Sequence, residues 1–366
     1  VVEEDGAVDF PGNVYIVGTP ESCDLIRHLS ESGAIAVTAE SPGPQGGWMK
    51  TVTLVNNKKA LVLAGSDAKG AQYAVYDFSH QVLGVDPFSY WTGYEPKTQT
   101  QFQPPEMDQR IEPPAVPIIC YFDNDNDELA NLTRPYLQFD KATWHALIDS
   151  LVRIRYNAID LHDHLGRSEF YRWDFYKELR PGYQTDLQLV NDVIDYAHSK
   201  GVKIQIPMYL AWQFRHISEE ESRNWTLYKD RWIDTWRYYL EETPLGKGDL
   251  FLFRPRSPLW DGSYRAAPGE DTATVMTEAF TALRDVVLAH NPKAVLLCDL
   301  YSNGRFFFYQ GGFRPPKDYI MLWPDDGYCD FMPLAPDRAG YRFGIYAHAG
   351  FWLNHVIQDP YPVHIG

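Results

Sequence analysis

Pro117-Ile-Ile-Cys-Tyr-Phe-Asp-Asn-Asp-Asn-Asp-Glu128 is the stretch on which the fold turns. It opens as an apolar run of strand length and breaks into the carboxylates Asp123, Asp125, Asp127 and Glu128. A buried strand that ends in acids is how a parallel α/β barrel presents polar groups at the C-terminal ends of its strands. Taken alone, the stretch would read equally well as a solvated acidic loop. It is not alone: the pattern of apolar run, polar or aromatic tip and helix recurs to the end of the chain.

The first helix, 140–155, takes Asp140 as N-cap and sets Trp144, Leu147, Ile148, Leu151 and Ile154 on one face. It feeds Asn157-Ala-Ile-Asp-Leu-His-Asp-His164. A helix over 186–200 closes at Gly201, a favoured C′ residue, and feeds Val202–Tyr209. An aromatic helical stretch near 219–241 precedes Asp249–Arg256, and a helix over 272–290, stopped by Asn291-Pro292, precedes Ala294–Tyr301. Asp318–Asp326, Tyr341–His348 and Tyr361–Gly366 complete eight strand candidates. The expected fold is α/β: a (β/α)8 TIM-type barrel over 117–366, whose closure depends on the final strand.

Working back towards the N-terminus, 106–116 is rich in proline and reads as a semi-rigid linker. Residues 1–105 read as a small mixed α/β domain. It has a strand at Val14–Val17, a helix opened by Thr19-Pro20, and a hairpin of 51–55 and 60–64 around Asn56-Asn57. Gly65-Ser-Asp-Ala-Lys-Gly70 could cradle a phosphate, but it has neither G-x-G-x-x-G nor a Walker lysine. A tight strand-to-helix turn suits it better.

With 45% apolar and 22% charged residues in 366, the chain can bury two cores and is not disordered. A net charge of -16 leaves no basic surplus for nucleic acid or an anionic membrane, so neither is expected as a partner. No apolar run is long enough to span a bilayer. The start at Val1 reads as a chain already freed of a signal peptide. Sequons at Asn131 and Asn224 fit a secreted, extracellular glycoprotein. The four cysteines lack C-x-x-C spacing; Cys120 and Cys298 fall inside strands and read as buried thiols.

The strand tips gather the chemistry. In order they carry Asp123/Asp125, His162/Asp163/His164, Tyr209/Trp212, Arg254/Arg256, Asp299/Asn303, Trp323/Asp325/Asp326, Tyr346/His348 and His364. Carboxylates from several strands with aromatic walls suit glycoside hydrolysis, in which one acid protonates the leaving oxygen and one base activates water or attacks carbon. Arg254 and Arg256 suit a substrate carboxylate, or else ion pairs with neighbouring acids. His162-x-His164 could begin a metal site, with His348 and His364 as the further histidines. Asp123-Asn-Asp-Asn-Asp127 fails as an EF-hand loop, because Glu128 stands at position six and Arg134 at position twelve. No G-x-S-x-G elbow is present.

The chain resembles glycoside hydrolase family 115, the xylan α-glucuronidases. The resemblance is carried by Ala64–Ser79, Leu83-Gly-Val-Asp-Pro-Phe-Ser-Tyr-Trp91, Phe122–Glu128, Leu322-Trp-Pro-Asp-Asp-Gly327 and Gly344-Ile-Tyr-Ala-His348. It implies a small α/β domain, a barrel, a helical domain and a β-sandwich, of which this chain would supply the first two. The implied activity is inverting removal of glucuronic or 4-O-methylglucuronic acid from xylan, without a cofactor. Three segments depart from the family. Its strand-three segment, with histidines and Glu-Pro-Met, stands here as Pro207-Met-Tyr-Leu-Ala-Trp212. Its strand-four Met-Arg-Gly stands here as Phe253-Arg-Pro-Arg256, with the acid displaced to Asp261. Its glutamate after strand five is replaced by Tyr301-Ser-Asn-Gly304.

The expected catalytic residues are therefore Asp326, activating water, and Asp125, as acid, with Asp325 and Asp123 beside them. Arg254 and Arg256 would hold the substrate carboxylate. His162, His164, Tyr209, Trp212, Trp323, Tyr346 and His348 would line the sugar site. Tyr90, Trp91 and Tyr94 would form a stacking wall at the barrel mouth. The alternatives are a non-catalytic carbohydrate-binding relative and a metal-dependent barrel hydrolase.

Overall fold

The computed structural model describes residues 14–54, 57–98, 102–122, 140–161, 186–209, 220–221, 224–255, 264–301, 303–325, 331, 333–334 and 340–347. The chain divides into two compact units. One comprises Val1–Ile119 with His145–Asn157, the other Cys120–Trp144 with Ala158–Gly366.

The first unit is built on a sheet of β1 (Val14–Gly18), β2 (Gly47–Thr53), β3 (Lys59–Gly65) and β4 (Asp108–Ile111), in the order β1-β3-β2-β4. Central β3 runs parallel to β1 and antiparallel to β2. Its alternation sends Ala60, Val62 and Ala64 to one face, where they pack with Ile26 of α1 (Asp24–Glu31). Leu61 and Leu63 go to the other, against Ala74 and Phe78 of α2 (Ala68–Gln81). The helix expected from Thr19-Pro20 starts later, because Thr19 and Ser22 bond each other reciprocally in a turn. The expected linker also differs: 108–111 form β4, antiparallel to β2. An edge strand next to prolines takes its conformation from its partner, not from an apolar alternation of its own.

The turn between β3 and α2 is as tight as its glycines suggest. A Cβ on Gly65 would lie 1.9 Å from Ala71 N. Asp67 caps α2 through Gly70 N–H (2.8 Å) and accepts Gln45 N–H (2.9 Å). At the other end of this unit, Asn157 accepts Ile119 N–H (2.8 Å) and donates to Pro117 O (2.8 Å) and Gln45 Oε1 (3.0 Å). α3 (Ser89–Thr92) carries Trp91, 46% exposed and edge-on to Tyr90. Ser89 Oγ accepts from Arg153, at the end of α4 (Lys141–Arg153) that leads into the next strand.

The second unit holds seven parallel strands among the described residues. They are β5 (Cys120–Tyr121), β6 (Ala158–Asp160), β7 (Lys203–Tyr209), β8 (Leu250–Arg254), β9 (Val295–Asp299), β10 (Ile320–Pro324) and β11 (Arg342–Tyr346), adjacent in chain order. Helices α5 (Leu187–Ser199), α6 (Trp225–Glu242), α7 (Thr272–His290) and α8 (Asn303–Tyr309) connect them. Asp140, Asp186, Asn224 and Asp271 cap α4, α5, α6 and α7 through backbone N–H groups. Gly201 takes φ +67° after α5, the left-handed stop its position calls for. No helix among the described residues is long and apolar enough to cross a membrane.

The parallel sheet curls. Phe122, just past β5, packs on Tyr346 of β11 with ring centroids 5.5 Å apart, so side chains from the first and last strands of the sheet meet. The expected eighth strand, Tyr361–Gly366, lies outside the described residues.

Candidate active site

The strand ends supply the site, beginning with β8. All of Leu250–Arg254 is buried. Phe253 faces the helical layer, packing on Phe280 of α7 (5.5 Å) and on Tyr319 (5.2 Å). Strand alternation then turns Arg254 to the inner face of the curl. There its Nε donates to Asp299 Oδ2 at 2.8 Å, from the tip of the neighbouring strand. Neither side chain reaches solvent: their exposures are 0% and 2%. Asp299 Oδ1 accepts Tyr301 N–H (2.8 Å). The Arg254 guanidinium lies 5.1 Å from the centre of the Phe122 ring, a cation–π contact. Tyr346 packs on Phe122 and, edge-on at 6.0 Å, on Tyr301. Phe122, Arg254, Asp299, Tyr301 and Tyr346 thus form one connected group from four strand ends.

Two further buried polar groups flank it. Asp160 and Gln205 are paired in the β6–β7 register, with Gln205 Nε2 donating to Asp160 Oδ2 at 2.6 Å. Burial, reinforced by the Asp160 charge, pushes the Cys120 thiol well up, so it is not a thiolate. Asp325 follows β10, is 1% exposed, and donates its backbone N–H to Tyr346 O (3.0 Å).

Of the residues expected to act, Arg254, Asp325 and Tyr346 come together here, and the β7–β8 register sets the Tyr209 backbone beside Arg254. The ion-pair alternative for Arg254 is the one realised at Nε. Trp323 is 3% exposed and packs on Phe343, whose ring meets Phe308 of α8. It therefore faces the helical layer, one residue out of phase with the inner face. Trp91 belongs to the first unit. Asp123, Asp125, Asp326, Arg256, His162, His164, Trp212, His348 and Asn131 lie outside the described residues.

Asp160, Gln205 and Phe122 were not singled out from the sequence. The signal for Asp160 was available: an acid inside the apolar run 157–161 needs a buried partner. Among the described residues no group of three or more His, Cys, Asp or Glu could hold a metal ion. A groove of about 590 Å³ runs between α6 and α7, lined by Ile233, Leu240, Val286 and Ala289. It lies on the helical layer, towards the helix ends that feed the strands, and is separate from the strand tips.

No family model matches the sequence, and no curated protein matches it. Solved structures do. CpGH84B aligns at 11% identity and TM-score 0.50, over 81% of this chain and 45% of its own. Two mutant Streptomyces plicatus β-hexosaminidases in complex with the product GlcNAc align at 11% and 12% identity and TM-score 0.50, over 84% of this chain and 60% of theirs. The likeness shows the fold: a curled parallel α/β sheet of the kind found in barrel glycoside hydrolases. The chain spans about half the length of those proteins.

Proposed function

We propose that this chain is a glycoside hydrolase of the α-glucuronidase-like type, removing (4-O-methyl)glucuronic acid from xylan or a related polysaccharide by an inverting two-carboxylate reaction. The observation that carries the reading is the group at the strand tips. Rings of Phe122, Tyr301 and Tyr346 lie around a buried Arg254–Asp299 pair, with a buried carboxylate, Asp325, bonded through its backbone to Tyr346. Aromatic faces suit sugar C–H surfaces, and carboxylates suit both proton transfers. That a β-hexosaminidase of similar fold holds GlcNAc supports a sugar as ligand.

In this reading Asp326 activates water and Asp125 protonates the leaving oxygen, across the gap of about 6.5–9.5 Å that an inverting enzyme leaves for water. Asp325 and Asp123 are the supporting acids of this proposal. Arg256, His162, His164, Tyr209, Trp212, Tyr346 and His348 line the sugar site. No cofactor takes part. Secretion and N-glycosylation at Asn131 and Asn224 belong to the same proposal. At Asn224 the side-chain oxygen caps α6 on Leu227 N–H (3.1 Å), so a glycan on Nδ2 is compatible with the cap.

A second reading, a carbohydrate-binding protein without catalysis, is favoured by one observation. Where family 115 has a glutamate, the chain has Tyr301-Ser-Asn-Gly304, and the preceding acid, Asp299, is already bonded to Arg254 and Tyr301 N–H. Incubation with glucuronic-acid-decorated xylo-oligosaccharides separates the two. Uronic acid should be released, and Asp326→Asn should abolish release while leaving binding nearly intact. An Asp326→Asn enzyme with most of the wild-type rate would end that assignment. Binding without release would favour the second reading, and release of N-acetylglucosamine from a glucosaminide would move the specificity to that of the hexosaminidases.

A further inference from the structure

α8 starts at the tip of β9, and its second residue has no room for a side chain. A Cβ on Gly304 would lie 2.7 Å from Pro255 Cγ and 3.4 Å from Asp299 O. This close approach holds the helix over the ends of β8 and β9, and the next residue is Arg305. Arg305 is half-buried; its Nε and Nη1 are sealed from solvent and have no hydrogen-bond partner among the described residues. Its neighbour Phe306 offers only a ring face, 6.0 Å from the guanidinium. Asp299, the acid at the tip of β9, is engaged by Arg254 and by Tyr301 N–H.

Buried guanidinium donors without a partner are costly, and folded proteins leave very few polar groups in that state. A group kept so, at the end of the sheet where the sugar is proposed to bind, is suited to an anion that arrives with the ligand. Resting on the glycosidase reading above, we infer that Arg305 is the receptor for the substrate's carboxylate and selects uronic acids over neutral sugars. Arg254, the other arginine of this end of the sheet, is already engaged at Nε by Asp299. A guanidinium presents several donors in a fixed plane, which matches the two oxygens of a sugar carboxylate better than an ammonium would.

Calorimetric titration with sodium D-glucuronate and with its neutral isostere D-glucuronamide tests the assignment. The wild type should prefer glucuronate by on the order of tenfold to a hundredfold, the size of one hydrogen bond to a charged group. Arg305→Gln should bind the two alike, and Arg305→Lys should keep only part of the preference. Arg305→Gln should melt at or above the wild-type temperature, since no partner is left stranded. A glucuronate preference that survives Arg305→Gln would overturn the role of Arg305 while leaving the uronic-acid reading standing. A wild type that binds both compounds equally would overturn both. A loss of melting temperature in Arg305→Gln, with the preference retained, would show the residue to be structural.

Discussion

Arg254 and Asp299 lie side by side at the tips of neighbouring strands, 2.8 Å apart and closed off from water. Such a pair is weak evidence for stability as a whole, because desolvation offsets much of the attraction, but either half alone is a stranded buried charge. Arg254→Met and Asp299→Leu should each destabilise by about 3–5 kcal/mol in urea titrations. The double variant should recover much of that loss. A double variant as unstable as the sum of the singles would show that the two side chains are not energetically coupled.

Asp249 should make the acid limb of the stability curve steeper. Burial would raise its carboxyl, but the His198 hydrogen bond (2.9 Å) and the Ile204 N–H (2.8 Å) outweigh that and hold it below the usual range. A lowered folded value contributes stability above the unfolded value, about 4, and loses it as pH falls through the folded one. Asp249→Asn should therefore be less stable than wild type at pH 7, with the gap closing below about pH 4. A gap constant from pH 7 to pH 2 would contradict the assignment.

Lys69 should also make stability rise with pH, but on the alkaline side and because its charged form is disfavoured in the fold. Burial brings its ammonium down to about 8 against the pull of Asp67. The amine donates to Gln72 Oε1 (3.0 Å) and lies 5.8 Å from the Tyr73 ring centre. Between that value and the unfolded one, about 10.4, the unfolded chain binds more protons, so stability rises with pH. Lys69→Met should be more stable than wild type at pH 7 and lose the advantage by about pH 10. An advantage that grows with pH would reverse the sign and refute the argument.

Gly65→Ala should be among the more damaging single-methyl changes. The added carbon would meet Ala71 N at 1.9 Å and Asp67 O at 2.5 Å, both backbone atoms that cannot swing aside. A loss of about 3 kcal/mol or more is expected from forcing the β3–α2 turn apart. An unchanged denaturation midpoint would mean that the turn relaxes freely.

What could be read in advance follows the range of the interactions. Strands β6 to β10 announce themselves as apolar runs, and Asp140 and Gly201 mark helix ends, because those signals act within a few residues. β4 is silent in sequence: Asp108-Gln-Arg-Ile111 has no apolar alternation, and only its pairing with β2 makes it a strand. The Arg254–Asp299 pair spans 45 positions and depends on the β8–β9 register, which no local pattern encodes. Trp323, expected at the sugar site, packs on Phe343 towards the helical layer, because adjacent residues of a strand point to opposite layers. The clash that forbids a side chain at Gly304 is likewise a long-range fact, visible only once Pro255 is in place.

The Phe122–Tyr346 contact has a kinetic consequence. These rings join the first strand of the parallel sheet to its last strand among the described residues, a separation in sequence that spans nearly all the strands of the unit. Closing so long a loop gives no return until both ends are ordered, and parallel pairings of this kind form slowly. The rim formed by the strand ends should therefore be among the last features to appear as the chain folds. A folding intermediate could hold most of its helices and strands and still lack the Phe122–Tyr346 contact on which the proposed sugar site rests. In a refolding experiment, recovery of the proposed sugar binding should lag behind recovery of helical circular dichroism.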